Sequence, residues 1–104
     1  MTDTVRRRKL EILVDAPLVR RITAAAEAAG VSGYTLLPTA GGRGRGGRWS
    51  DDQLTGAEAK LMFMTVTSTE KAAALIDALA PLLDSHGLLL MASDVEVVRG
   101  RRIA

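Results

Sequence analysis

The chain contains no cysteine, which excludes disulfides, thiolate metal sites and thiol catalysis. It has one histidine, His86, with no second ligand-type residue beside it, so no metal site is expected. Aromatic residues amount to 3% of the chain, namely Tyr34, Trp49 and Phe63, so the core must be aliphatic. No run of about 18 apolar residues occurs, and a transmembrane helix is not expected. The apolar run behind Arg6-Arg7-Arg8-Lys9 stops at Asp15, too soon for a signal peptide. Asp51, Asp52 and Glu58 are carboxylates without a visible nucleophile or base partner, and read as counter-charges to nearby arginines. With no catalytic constellation, an enzyme is not expected. A reducing, cytoplasmic compartment is compatible with every one of these absences.

What remains is a chain of 104 residues, 47% of them hydrophobic. That length reads as a single domain over residues 1–104, and the hydrophobic fraction is too high for disorder. The net charge is only +2, but its distribution is uneven. Basic residues gather in Arg6–Lys9, in the arginines between positions 43 and 48, and in Arg99, Arg101 and Arg102. Such clustering favours anionic ligands over general polycation behaviour.

One stretch resists reading as core or turn: Thr39-Ala-Gly-Gly-Arg-Gly-Arg-Gly-Gly-Arg-Trp-Ser50. Glycines permit close backbone approach to a ligand, and arginines present donor forks that match phosphate or carboxylate oxygens. Together they predict an anion-binding loop, flexible over about residues 39–57. Gly42-x-Gly44-x-x-Gly47 fits the dinucleotide fingerprint, but the polar segment behind it leads to a strand rather than the helix that fingerprint requires.

Around this loop the hydrophobic pattern alternates between periods. Leu10-Glu-Ile-Leu-Val14 predicts a strand, with Leu10, Ile12 and Val14 on one face. Asp15 stands at an N-cap position with Pro17 in the first turn, and Leu18, Ile22, Ala25, Ala26 and Ala29 recur at helical spacing up to Gly30. Tyr34–Leu37 predicts a second strand that Pro38 ends. Ala59–Thr67 predicts a third. Thr67-Ser-Thr-Glu70 has the form of a capping box before Leu75, Ile76, Leu79, Leu82 and Leu83, and Pro81 should kink or break the last turn. Residues 88–91 and 95–98 predict a final strand interrupted near Ser93-Asp94.

The order β-α-β-β-α-β specifies an α+β, ferredoxin-like fold, an antiparallel sheet with two helices on one face and a long loop between strands 2 and 3. Met62, Met64, Leu89 and Met91 give the other face more apolar surface than water tolerates, so a homo-oligomer that buries it is expected.

With Gly30-Val-Ser-Gly33-Tyr34-Thr35, then a glycine-rich loop, then the ending Asp94-Val-Glu-Val-Val-Arg-Gly100, the chain resembles the P-II-like signalling proteins. Within them it is similar to the branch associated with inorganic-carbon (bicarbonate) uptake and carboxysomes. The resemblance implies a homotrimer that binds an adenine nucleotide (ADP, AMP, cyclic AMP or ATP) in clefts between subunits, with bicarbonate as a further ligand. It implies that the long T-loop regulates a bicarbonate transporter or another protein of carbon metabolism, so that any membrane link runs through a transporter partner.

Carried onto this sequence, the resemblance places Gly33, Tyr34, Thr35 and Thr39 at the loop base and Gly41, Gly42, Arg43 and Arg45 over phosphates. Gly87, Leu88 and Leu89 fall at the adenine pocket, and Arg99 and Arg101 at phosphates or a neighbouring subunit. Arg48 and Trp49 belong to the partner-binding loop, although Trp49 reads equally well as packing on the loop stem. The loop lacks the modifiable tyrosine of nitrogen-sensing members. The turn at Ser85-His86-Gly87 is shorter than theirs, which favours ADP, AMP or cyclic AMP over ATP with magnesium.

The alternative is an RNA-binding ferredoxin-like module using the arginine–glycine loop and Trp49. Its sheet would need a pair of exposed aromatics, and the strands supply only Tyr34 and Phe63 without that module's signature, so no nucleic acid is expected.

Overall fold

The computed structural model describes residues 2–44, 46–50 and 59–100. Six strands and two helices follow one another as β1 (Thr2–Asp15), α1 (Val19–Ala28), β2 (Thr35–Pro38), β3 (Gly41–Gly44), β4 (Gly47–Ser50), β5 (Lys60–Thr67), α2 (Thr69–His86) and β6 (Leu89–Gly100). Four of the strands form one sheet in the order β2-β5-β1-β6, and every pairing in it is antiparallel. Both helices lie on one face. This is the ferredoxin-like α+β arrangement that the sequence predicts.

Period-two alternation decides which side chains face the helices. Leu10, Ile12 and Val14 of β1 are almost completely buried, as are Phe63 and Thr65 of β5. Register sets them in rows: Leu36, Phe63, Ile12 and Leu90 lie side by side across all four strands. From α1 come Ile22 and Ala26, and from α2 Ala72, Leu75, Leu79 and Leu82, which close the core over that face. Thr65 is the one polar member among the described residues, and its hydroxyl donates to the Gly33 carbonyl at 2.6 Å.

The other face carries no helix. Its central row is Leu37, Met62, Leu13 and Leu89, and the next is Thr35, Met64, Glu11 and Met91. Leu37, Leu89 and Met91 are 43%, 51% and 43% exposed, an apolar surface open to solvent in a single chain.

Four local expectations differ from what forms. The first and last strands are much longer than their apolar runs, because β1 and β6 pair from Leu13–Leu89 out to Thr2–Gly100. Beyond Arg8, where β5 ends, they continue as a two-stranded ribbon, and just before it Ser93-Asp94 pairs with Lys9 and Arg8 without a break. Backbone pairing with β1 carries these polar residues along, and the Arg8–Asp94 ion pair at 2.8 Å reinforces that step. Second, α2 runs through Pro81 to His86. Leu79 and Leu82 are buried on either side of the proline, while Asp77, whose carbonyl loses its intrahelical partner, is exposed to water.

Third, the helix cap sits one residue later than the capping box suggests. Ser68, not Thr67, is the N-cap, and its hydroxyl accepts from the Lys71 amide at 3.2 Å. Finally, Asp15 makes no side-chain cap, and a 3-10 turn at Ala16–Leu18 leads into α1 instead. Its carboxylate accepts from Lys60 Nζ at 2.5 Å, tying the end of β1 to the start of β5.

Candidate functional site

The glycine–arginine stretch is a β-hairpin, with Gly41 paired to Ser50, Gly42 to Trp49, Arg43 to Arg48 and Gly44 to Gly47. Within the loop expected over about residues 39–57, residues 41–44 and 47–50 pair as strands, whereas residues 51–58 lie outside the described ones. Glycine is required at particular points. Gly41 has φ 150° and Gly47 φ 108°, backbone that other residues rarely adopt. At Gly42 a Cβ would fall 2.4 Å from the Trp49 ring, so only a bare backbone lets the indole lie flat across it.

Trp49 fastens the hairpin to the sheet. Its Nε1–H donates to Thr39 Oγ1 at 3.0 Å, and the Thr39 hydroxyl donates in turn to the Lys60 carbonyl at 2.7 Å. The Lys60 ammonium sits 5.3 Å from the centre of the Trp49 ring while also bonding Asp15. The chain Asp15–Lys60–Trp49–Thr39 thus joins the end of β1, the start of β5 and both sides of the hairpin stem. Of the two readings of Trp49, packing on the stem describes its contacts.

Alternation sends the arginines the other way. Arg43 and Arg48 are exposed register partners on the hairpin face opposite Gly42 and Trp49. Like charges set directly across from each other repel. An oxyanion between two such guanidiniums would remove that repulsion and accept their donors.

The remaining expected site residues divide between the two sides of the sheet. Thr35 is on the open face, beside Met64. Tyr34 is not: its ring stacks on Phe63 of the helix side, with centroids 5.1 Å apart. Gly33 contributes its carbonyl to Thr65. Gly87 caps α2 in the left-handed conformation, φ 61°, and swings the chain into Leu88 and β6. Leu88 packs against the core, whereas Leu89 lies on the open face.

Thr35 and Leu89 therefore share a face but occupy opposite edges of the sheet, three strand spacings or roughly 14 Å apart. One chain does not bring them together. Arg99 is paired with Asp3 far along the ribbon, ten residues from the Leu13–Leu89 row, or on the order of 33 Å. Arg45 and Arg101 lie outside the described residues. Among the described residues no group of three acidic, histidine or cysteine side chains could hold a metal ion, and no helix is long and apolar enough to cross a membrane.

Sequence reasoning missed Lys60 and the cradling role of Gly42. Lys60 looked like an ordinary polar start to a strand, and only its place at the foot of the hairpin reveals its two partners. A tryptophan seven residues after a glycine says nothing of their register until the turn between them is known.

Comparison with known proteins adds three findings. The family described as nitrogen regulatory protein P-II matches residues 7–102. No curated protein matches the chain. Among solved structures, CPII, a nitrogen regulatory PII-like protein from Thiomonas intermedia bound to ADP, AMP and bicarbonate, is 23% identical with a TM-score of 0.84, covering 91% of each chain. A PII-like signalling protein from Thermus thermophilus is 22% identical with a TM-score of 0.78, covering 91% of this chain and 92% of its own. More distant is CutA from Synechococcus elongatus, 15% identical with a TM-score of 0.64, covering 96% of this chain and 90% of its own. At these identities the structural likeness speaks for the fold.

Proposed function

The chain belongs to the nitrogen regulatory protein P-II family, and from that premise we propose that it is a non-enzymatic, trimeric signalling protein that binds an adenine nucleotide between subunits. The observation that carries this reading is the split of the site. Thr35 stands at one edge of the open sheet face and Gly87–Leu89 at the other, so a pocket containing both needs the β2 edge of one copy beside the β6 edge of another. The uncovered row Leu37, Met62, Leu13 and Leu89 supplies the apolar surface such an assembly buries. P-II-like proteins are typically trimers, and three copies would make three equivalent clefts.

In this reading the hairpin is the T-loop. Thr35 and Leu89 line the adenine pocket from two chains, and Arg43 stands over the phosphates. Arg45, Arg99 and Arg101 are assigned to phosphates or the neighbouring subunit on the family resemblance alone. Arg43 and Arg48 also give the loop its contact with a partner, which we assign to a bicarbonate transporter or another cytoplasmic protein of inorganic-carbon metabolism. The ligands of CPII support ADP or AMP as the nucleotide and bicarbonate as the co-ligand. An RNA-stacking role is disfavoured, because the Trp49 ring is already engaged by Gly42 and Lys60.

The test is thermal stability measured with AMP, ADP, ATP and cyclic AMP, each with and without bicarbonate. A ligand at a hundred times its Kd stabilises the folded state by about 2.7 kcal/mol. For a chain of this size that is a rise in Tm of roughly 10 °C or more. The absence of any shift at millimolar concentration would remove the nucleotide assignment. Unaltered nucleotide affinity in Arg43→Ala would remove that arginine from the site.

A further inference from the structure

At the end of the sheet away from the hairpin, the ribbon and α2 enclose a cleft of about 520 Å³ that the nucleotide reading leaves unused. One wall is a single stripe of α2, Thr69, Ala72, Ala73 and Ile76, spaced so that all four share a helix face. The opposite wall is Arg6, Arg7 and Arg8 of β1, with Asp94 across from Arg8 on β6. The cleft exists because the helix offers alanines where a leucine would fill it. Its volume lies within the range of small-molecule sites.

The charges on that wall are not balanced. Asp94 neutralises Arg8, bonding its Nη1 at 2.8 Å and holding the guanidinium in place. Arg7 bends back to the Arg6 carbonyl. Arg6 itself has no ion-pair partner among the described residues, even though Glu96 is its register neighbour. The lining thus carries three cations against one carboxylate, above an apolar floor of Ala72, Ala73 and Ile76 and beside the Thr69 hydroxyl.

We propose that this cleft is a second ligand site, for a small phosphomonoester. Its phosphate lies against Arg6, Arg8 and the Thr69 hydroxyl, and its apolar body on the alanine floor. Guanidinium groups give phosphate paired, charge-assisted donors, and the alanines exclude a fully hydrated anion from the floor. The site lies on the helix-bearing face rather than the open one. It does not depend on the nucleotide reading.

Phenyl phosphate is a suitable probe, titrated into the full chain with and without saturating ADP and followed by amide NMR shifts. Saturable shifts at residues 6–8, 69–76 and 94 are expected. Arg6→Ala should weaken binding about tenfold or more, the loss of a charge-assisted contact. Ala73→Leu, at an exposed helix position that tolerates it, should block the cleft by filling it. Arg43→Ala should leave these shifts unchanged. No saturable shift up to about 10 mM, shifts confined to the hairpin and Gly87, or binding that ignores both cleft variants would each overturn the proposal. A protein that fails to bind ADP but shifts at these positions would retain this site and lose only the nucleotide one.

Discussion

Gly42→Ala isolates the hairpin clasp from the rest of the fold. The backbone at Gly42 is not in the left-handed region, so alanine is allowed there, and the effect must be steric. The new methyl would lie 2.4 Å from Trp49 Cη2 and 2.5 Å from Cζ2. These atoms are the outer edge of a side chain, so the indole can swing away without moving the strand. What is lost is then the set of contacts the indole makes. The Nε1–Thr39 hydrogen bond is worth about 0.5–1.5 kcal/mol, and the half-exposed Lys60 cation–π contact about 0.5–1 kcal/mol.

The clasped state should therefore lose about 1–2.5 kcal/mol, a factor of roughly 5–70 in its population. Because Trp49 is the only tryptophan, fluorescence reads this directly, with an emission shift to longer wavelength as the ring enters water. Thermal stability should change little, since the core residues lie under the helices rather than under the hairpin. Gly44→Ala is the matched control: its Cβ meets the same ring at 3.8 Å, an ordinary contact, and should leave emission unchanged. A Gly42→Ala protein with the emission spectrum of the parent would refute the clasp, as would equal shifts from both variants.

Two other substitutions test how the scaffold is held. Thr65→Val keeps the shape of a buried side chain but removes the donor to the Gly33 carbonyl; because Gly33 is exposed and can take up water, the loss should be about 1 kcal/mol, seen as a Tm lower by roughly 4–8 °C. Ser68→Ala removes the cap on the Lys71 amide and should cost about 1 kcal/mol in chemical denaturation, whereas Thr67→Ala, one residue earlier, should not reproduce that loss if Ser68 is the cap.

The sheet and helices were legible because their signal is periodic. Leu10, Ile12 and Val14 announce a half-buried strand by alternation, and Ile22, Ala26, Leu75, Leu79 and Leu82 announce helices by spacing. The first part of β1 and the continuity of β6 were not legible, since Arg6–Lys9 and Ser93-Asp94 have no apolar pattern. Their extended form comes from cross-strand pairing, which no local window contains. That the helix does not break at Pro81 was hidden for a similar reason: propensity sees the missing backbone bond but not the buried leucines on both sides of it.

At the site, the chemistry of the glycines and arginines was visible, but its geometry was not. Only the register of the hairpin shows that Arg43 and Arg48 are cross-strand partners. Only the rotation of Tyr34 toward Phe63 separates it from its neighbour Thr35, which a linear motif treats as its companion.

In the proposed assembly, the placement of Thr35 and Leu89 on opposite edges of one sheet would also govern how occupancy depends on protein concentration. Each chain would then carry two unlike half-sites and no whole one. Dilution that separates the copies would abolish binding without altering any residue, and the apparent Kd would rise as the subunits part. By linkage the relation also runs backwards: every ligand bound at a seam opposes dissociation of the chains on either side of it, and the small molecule becomes an adhesive for the assembly that holds it.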